Sequence, residues 1–264
     1  MRVVKIVVCV KHVADAETEV EFRDNRVVRS DYYKMNELDE HAIEQAVSLV
    51  DEHGGEVVAV SMGSEDDDSE DTLMRALQMG ANRAVMISDE SLENADVAVT
   101  AQVLGAAICR IGASEAIDLV LTGMASADGM TSMLPSALAA VLAYPLAGNA
   151  NALEVESERI IVERSIAGVS ERVQVKLPAV ISVTDQINEP RFPSFKDLRA
   201  ARQKPFDTIG VDDLADFLPE NWSGAPRVRV LQAQPHERSQ DRQILQDSGN
   251  GGQKLAQYLA GQLK

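Results

Sequence analysis

The first two-thirds of the chain switch repeatedly between two periodicities, and this alternation constrains the fold more than any motif. "VVKIVVCVKHV" (3–13) is rich in β-branched residues and almost continuously apolar, the pattern of a parallel strand covered on both faces. "EVEFRDNRVVRS" (19–30) breaks at Asp24-Asn25 and reads as a small hairpin. "NELDEHAIEQAVSLVDEHGG" then places Leu38, Ala42, Ala46 and Leu49 on one helical stripe and ends at Gly54-Gly55. The cycle repeats, with strands at 56–63, 83–88 and 117–123 and helices at 69–80, 95–112 and 131–144. Ser69 is placed to cap the first of these helices and Gly80 to stop it. Such alternation predicts a doubly wound α/β core on a mostly parallel sheet.

The pattern changes after Pro145. Residues from about 146 to 177 alternate polar and apolar, with breaks at Glu158-Arg159 and Gly168, as in a β-meander inserted into the α/β domain. "PAVISVTD" (178–185) returns to a continuous apolar strand, expected to be the last of the main sheet. The domain is then taken as 1–205, including a basic loop at 188–205. The polar, Gly/Pro-punctuated remainder (206–264) reads as an extended C-terminal arm ending in a short helix, "GQKLAQYLAGQL".

Charge excludes several functions. A net charge of −17 argues against nucleic-acid polymers and anionic membranes, which need a positive surface, and suits basic partners. Cys9 and Cys109 sit in apolar runs without metal-ligand spacing and read as buried free thiols. The four histidines share no ligand-like spacing either. With no signal-peptide pattern and no run near the roughly 18 residues of a membrane span, an intracellular, cytoplasmic protein is expected.

In a doubly wound sheet, ligands bind beyond the C-terminal strand ends. The loop 121–132, "LTGMASADGMTS", is rich in small residues and leads into a helix N-terminus, where backbone N–H groups and the helix dipole favour a phosphate. Its alternative is a flexible connector whose Asp128 caps the helix. Asn36 and Asp39 have capping-box-like spacing, although Asn36 could instead offer its amide to a ligand. The acidic run 64–71 reads as solvated charge at a helix start or as a cation chelator. Neither a GxGxxG after the first strand nor a P-loop is present.

"INEPRFPSFKDLRAARQKP" (187–205) runs against the acidic balance, with five basic residues, two acids and three prolines. Together with the strand before it, this segment resembles the signature of the electron transfer flavoprotein beta subunit family, an apolar strand running into N-E-P-R-[YF] and a basic stretch. "VCVKHV", "MNELDEHAIEQAV", "RALQMGANRAV", the "DLVLTG…DG" loop and the tail "GNGGQKLAQYL" extend the resemblance over nearly the whole chain.

The resemblance implies a Rossmann-like, adenine-nucleotide-binding fold and an electron carrier without substrate chemistry of its own. It implies AMP in this subunit and an FAD held mainly by an alpha subunit, in a heterodimer. Electrons would come from acyl-CoA dehydrogenase-type flavoenzymes and pass to a membrane quinone oxidoreductase. The AMP site would fall on Cys9, Asn36, Glu37, Leu38, Asp39 and Met62. It would continue along the loop through Gly123, Ala125, Ser126, Ala127, Asp128, Gly129, Met130, Thr131, Ser132 and Met133. Many members read G-x-Q-x-x-D-G-D-T-x-Q in that loop. Here Asp128, Gly129 and Thr131 persist, while both glutamines and the second aspartate are replaced. Relatives that bifurcate electrons hold a second FAD in place of AMP.

The resemblance also assigns the basic loop to partner docking, with Phe195 at the family's apolar anchor and Arg191, Phe192, Lys196 and Arg199 around it. A stiff aromatic anchor with flanking cations suits an interface hot spot. Otherwise Phe192 and Phe195 fold back onto the core. Two other readings share the α/β core. A stand-alone ATP- or AMP-binding stress-type domain would need neither basic loop nor tail. An adenylating enzyme would need a Ser/Gly-rich loop after the first strand, which "CVKHVADAE" lacks.

Overall fold

The computed structural model describes residues 4–15, 22–23, 25–27, 33–63, 69–234, 244 and 247–262. Strands β1 (Val4–Cys9), β2 (His12–Ala14), β3 (Phe22–Arg23), β4 (Arg26–Val27) and β5 (Tyr33–Met35) precede helix α1 (Glu37–His53). Next come β6 (Gly55–Gly63), α2 (Ser69–Met79), β7 (Arg83–Ser88), α3 (Val97–Gly112), β8 (Leu119–Gly123) and α4 (Leu134–Leu142). The meander is β9 (Leu146–Val155), β10 (Arg159–Ile166) and β11 (Val169–Lys176), followed by β12 (Ala179–Val183). Helix α5 (Phe195–Ala201), strand β13 (Phe206–Ile209) and helix α6 (Gly251–Gln262) complete the order.

Nine strands form one sheet in the order β11-β10-β9-β12-β8-β1-β6-β7-β13. Every neighbouring pair is parallel except β9 with β10 and β10 with β11. The chain therefore forms the expected doubly wound, mostly parallel α/β architecture. Its two covered faces explain the unbroken apolar runs. Val4, Ile6 and Val8 of β1 pack with α1 and α2, whereas Val7 and Cys9 pack with α3 and α4. Full burial of each Val or Ile contributes roughly 1.5–3 kcal/mol, so both alternating sets favour apolar residues.

The meander extends this sheet, because β9 pairs parallel with β12. Its outer hairpin turns through Ala167 (φ 51°) and Gly168 (φ 80°), the two left-handed residues of a primed turn that matches strand twist. Strand β12 is not the last of the main sheet, contrary to expectation. Strand β13 adds a parallel edge beside β7, and Leu214 of the 3-10 turn at Asp212–Phe217 is fully buried. Four residues with two exposed polar positions, "FDTI", carry too short a pattern to reveal a strand.

Two further expectations are corrected. The apolar run 3–13 splits after Cys9, and β2 leaves the main sheet to pair antiparallel with β5. Cys109 is exposed rather than buried, because α3 is apolar on nearly all sides and its sequence conceals the outward face. Strands β3 and β4 pair as the predicted hairpin; Asp24 and residues 64–68 of the acidic run lie outside the described residues. Among the described residues no helix is long and apolar enough to cross a membrane, and no group of three His, Cys, Asp or Glu could hold a metal ion.

The chain after β13 leaves the body along α3. Asp96 caps that helix through Oδ1, which accepts from Ala98 N and Val99 N, each at 3.0 Å. Its Oδ2 accepts from Arg227 N at 2.6 Å and Val228 N at 2.9 Å. Farther on, Leu255, Tyr258 and Leu259 of α6 form an exposed apolar stripe at helical spacing.

Candidate functional site

Strand order reverses at β1. Strands β6 and β7 build outward on one side of it, and the chain then crosses back to place β8 on the other. The connections leaving β1 and β8 diverge there, opening the crevice that a doubly wound sheet offers to ligands. Residues 10–15, the loop 124–133 and the N-terminus of α1 surround it.

Asn36 and Asp39 sit at the base of the crevice, 1% and 6% exposed. They do not form the expected capping box, and Asn36 makes no side-chain cap of α1. Instead Asn36 Nδ2 donates to the carbonyl of Ala125 at 2.9 Å, and its Oδ1 accepts from Ala127 N at 3.0 Å. Asp39 accepts from Lys11 N at 2.8 Å and from Gly123 N at 3.2 Å. Two side chains of α1 thus hold the backbone of both crevice loops. Burial pushes the Asp39 carboxyl up to about 7, against the opposing pull of these hydrogen bonds and the Lys11 charge. Gly123 allows the close approach: a Cβ there would lie 2.5 Å from Asp39 Oδ1 and 2.8 Å from the carbonyl carbon of Leu38.

Lys11, which sequence reasoning missed, closes the arrangement from above. Its Nζ donates to both carboxylate oxygens of Asp128 at 2.8 and 2.9 Å, and to Ser126 Oγ at 3.4 Å. Its place at the C-terminal end of the first strand, in "VCVKHV", was the available signal. Asp128 is therefore not the cap of the following helix. Helix α4 starts later than predicted, at Leu134, with Met133 before it and no side-chain cap. Proline at the second helical position accounts for part of this, since it has no N–H to cap. The uncapped turn leaves the positive end of α4 open to an anion. Met130 (φ 46°) and Ser132 (φ 52°) hold left-handed backbone without being glycine, a strain of roughly 1–3 kcal/mol each that gathers at ligand sites.

The remaining predicted residues divide clearly. Cys9 ends β1 under the crevice, where burial, reinforced by Asp39, pushes its thiol up to about 12 and keeps it neutral. Met62 is half-buried at the end of β6. Leu38 packs against Gly123, while Glu37 turns to solvent and accepts from Lys34 Nζ at 2.7 Å. Ala125 is buried, and Gly129, Met130, Thr131, Ser132 and Met133 form an exposed rim.

The basic segment is the second candidate site. Its latter half is not a loop but the helix α5, started by a capping box in which Ser194 and Asp197 serve each other. Phe192 is 93% exposed and Phe195 91%, so neither folds back onto the core. Arg191 is committed within the chain: Nε and Nη2 reach Glu44 at 2.7 and 3.0 Å, and Nη2 reaches Asp51 at 3.2 Å. Burial works against the charged form of Glu44, but Arg191 outweighs it and holds the carboxyl below its ordinary range. Lys204 donates to the carbonyls of Leu77 and Ala81 at the C-terminus of α2. Lys196, Arg199 and Arg202 form no salt bridge among the described residues and remain exposed.

A family model described as the electron transfer flavoprotein domain matches residues 24–214. The chain is 30% identical over 265 residues to electron transfer flavoprotein subunit beta of Mycobacterium leprae, spanning 97% of this chain and 98% of that protein. It is 33% identical over 209 residues to the subunit of the same name from Syntrophomonas wolfei, with 78% and 80% spanned. The Bacillus subtilis counterpart is 31% identical over 199 residues, with 75% and 74% spanned. By the extent of these matches, the chain belongs to the electron transfer flavoprotein family, among its beta subunits.

Proposed function

We propose that this chain works as the beta subunit of a heterodimeric electron carrier in the cytoplasm. It binds AMP at the switch-point crevice, helps to hold an FAD carried mainly by the alpha subunit, and has no substrate chemistry of its own. The arm after the 3-10 turn at Asp212–Phe217 packs on the alpha subunit through the apolar stripe of α6. The face formed by Phe192, Phe195, Lys196 and Arg199 docks acyl-CoA dehydrogenase-type flavoenzymes, and the reduced carrier delivers to a membrane quinone oxidoreductase.

The observation that carries this reading is the pair of almost fully exposed phenylalanines beside cations that form no salt bridge among the described residues, on a body of net charge −17. An apolar anchor of that kind is unfavourable in water and favourable in an interface, and the cations steer it toward acidic surfaces. The crevice suits a nucleotide monophosphate held by backbone. The uncapped start of α4 favours the phosphate, and the small residues Ala125 to Gly129 let main-chain groups approach it. Bound FAD supplies the redox chemistry; the residues of this chain bind, orient and exclude water.

The test is to co-express the chain with an alpha-type subunit, purify the complex, denature it and separate the released nucleotides by chromatography. One FAD and one AMP per complex is the expected result. Two FAD would replace the AMP reading with that of a bifurcating carrier. A chain that purifies alone and supports no flavin spectrum would overturn the proposal.

A further inference from the structure

We propose that Glu44 is a positioning residue for partner docking: from α1 it clamps Arg191 and so fixes the direction in which Phe192 and Phe195 project. The inference rests on the docking role proposed above. Glu44 is 8% exposed on the core-facing side of α1. A carboxylate so placed is costly to bury unless donors saturate it, and here four do. Arg191 donates through Nε at 2.7 Å, Nη2 at 3.0 Å and its backbone N at 3.0 Å, and Ser48 Oγ donates at 3.0 Å. The guanidinium fork and the backbone of one residue are therefore fixed by a single side chain, immediately before Phe192.

Neighbouring contacts on α1 reinforce the same root. His41 Nδ1 donates to Asn188 at its carbonyl oxygen and Oδ1, 3.0 and 3.1 Å away. Asn188 Nδ2 donates to the His41 carbonyl at 3.1 Å and Gln45 Oε1 at 3.3 Å. The far root is equally fixed, by buried Ala201 and by Lys204 on the end of α2. Between these roots, from Phe192 to Ala200, every residue but Pro193 is exposed, Leu198 least among them. The segment is a bracket fastened at both ends, with α5 resting on α2 and the rings of Phe192 and Phe195 exposed.

Positioning and plain electrostatics predict opposite signs for one substitution. Glu44→Gln removes a negative charge beside Arg191, so a face that works by charge alone binds an acidic dehydrogenase more tightly. A face that works by orientation binds it less tightly. The experiment uses the assembled heterodimer with an acyl-CoA dehydrogenase as electron donor. It compares the KM for the carrier and kcat at low and moderate salt for wild type, Glu44→Gln, Arg191→Lys, Phe195→Ala and the Glu44→Gln/Phe195→Ala double variant.

About a tenfold rise in KM is expected for Glu44→Gln, at both salt concentrations, with kcat and nucleotide content retained. Arg191→Lys keeps the charge but loses the fork, so it should match that rise and serves in place of Glu44→Gln if the latter does not assemble. The double variant should lose less than the two single losses combined, because Glu44 acts through the phenylalanine. An unchanged or lowered KM for Glu44→Gln, with Phe195→Ala impaired, overturns the positioning role and leaves docking intact. Should Phe195→Ala also leave KM unchanged, the docking reading fails and this inference fails with it.

Discussion

Helix α1 holds two loops, and it holds them in opposite ways. At its N-terminus, Asn36 and Asp39 take hold of backbone atoms throughout the crevice, from Lys11 N to Gly123 N and Ala127 N. Farther along, His41 and Glu44 take hold only of the root of the basic segment, at Asn188 and Arg191. The first arrangement turns polar groups inward and fixes a shape. The second turns aromatic and cationic groups outward and fixes a direction. A small-ligand site requires the former, whereas a surface that meets another folded protein gains from the latter by losing less entropy on contact.

The sharpest way to break this contrast is Gly123→Ala. Its Cβ has no room against Asp39 and Leu38, so a cost of about 2–3 kcal/mol is expected. That corresponds to a melting temperature lower by roughly 5–10 °C, with loss of the proposed AMP and an unaltered KM for the proposed docking partner in whatever complex remains. Retained nucleotide would mean that the crevice is less rigid than its contacts imply. Phe195→Ala should show the reverse profile. A hot-spot loss of about 2 kcal/mol raises the docking KM roughly 30-fold, with melting temperature and nucleotide content unchanged. A stability loss there would show that the exposed ring supports the fold after all.

Asp39→Asn tests the crevice through pH. The wild-type carboxyl is raised to about 7, so the folded protein keeps a proton that the unfolded chain releases above about pH 4. The contribution to stability is therefore fully present below about pH 4 and is lost as pH rises through about 7. Melting curves between pH 5 and 8 should show wild type losing roughly 2–3 kcal/mol relative to the variant. Parallel profiles would show that Asp39 does not titrate in this range. The smallest effect is expected from Lys11→Met. With Lys11 41% exposed, its pair with Asp128 should contribute under about 1 kcal/mol, and urea unfolding should detect little. A larger loss would make that pair a structural closure of the crevice.

The core was legible because it is periodic. Residues of β1, β6, β8 and β12 are covered on two faces, and their runs of Val, Ile and Leu say so in one dimension. The crevice was legible in position but not in wiring. Asn36 and Asp39 have cap-like spacing, and nothing local reveals that their partners lie 28 to 91 residues away. Arg191 and Lys204 likewise look like free charges in a basic segment until Glu44 and the end of α2 are brought beside them. The exposure of Phe192 and Phe195 was beyond composition altogether, because a phenylalanine folded back and one projecting outward have the same neighbours in sequence.

Asp96 has a consequence of a different kind. By holding Arg227 and Val228 with the same carboxylate that caps α3, it fixes the path along which the chain leaves that helix. Fully extended, the chain from Val228 to Gly251 reaches about 80 Å, which bounds where α6 can land. In the proposed heterodimer, tethering to the body raises the local concentration of α6 at its seat above that of a free helix. Weak intrinsic affinity is enough under those conditions. The arm would add little to the rate at which the subunits meet and much to how long they stay together.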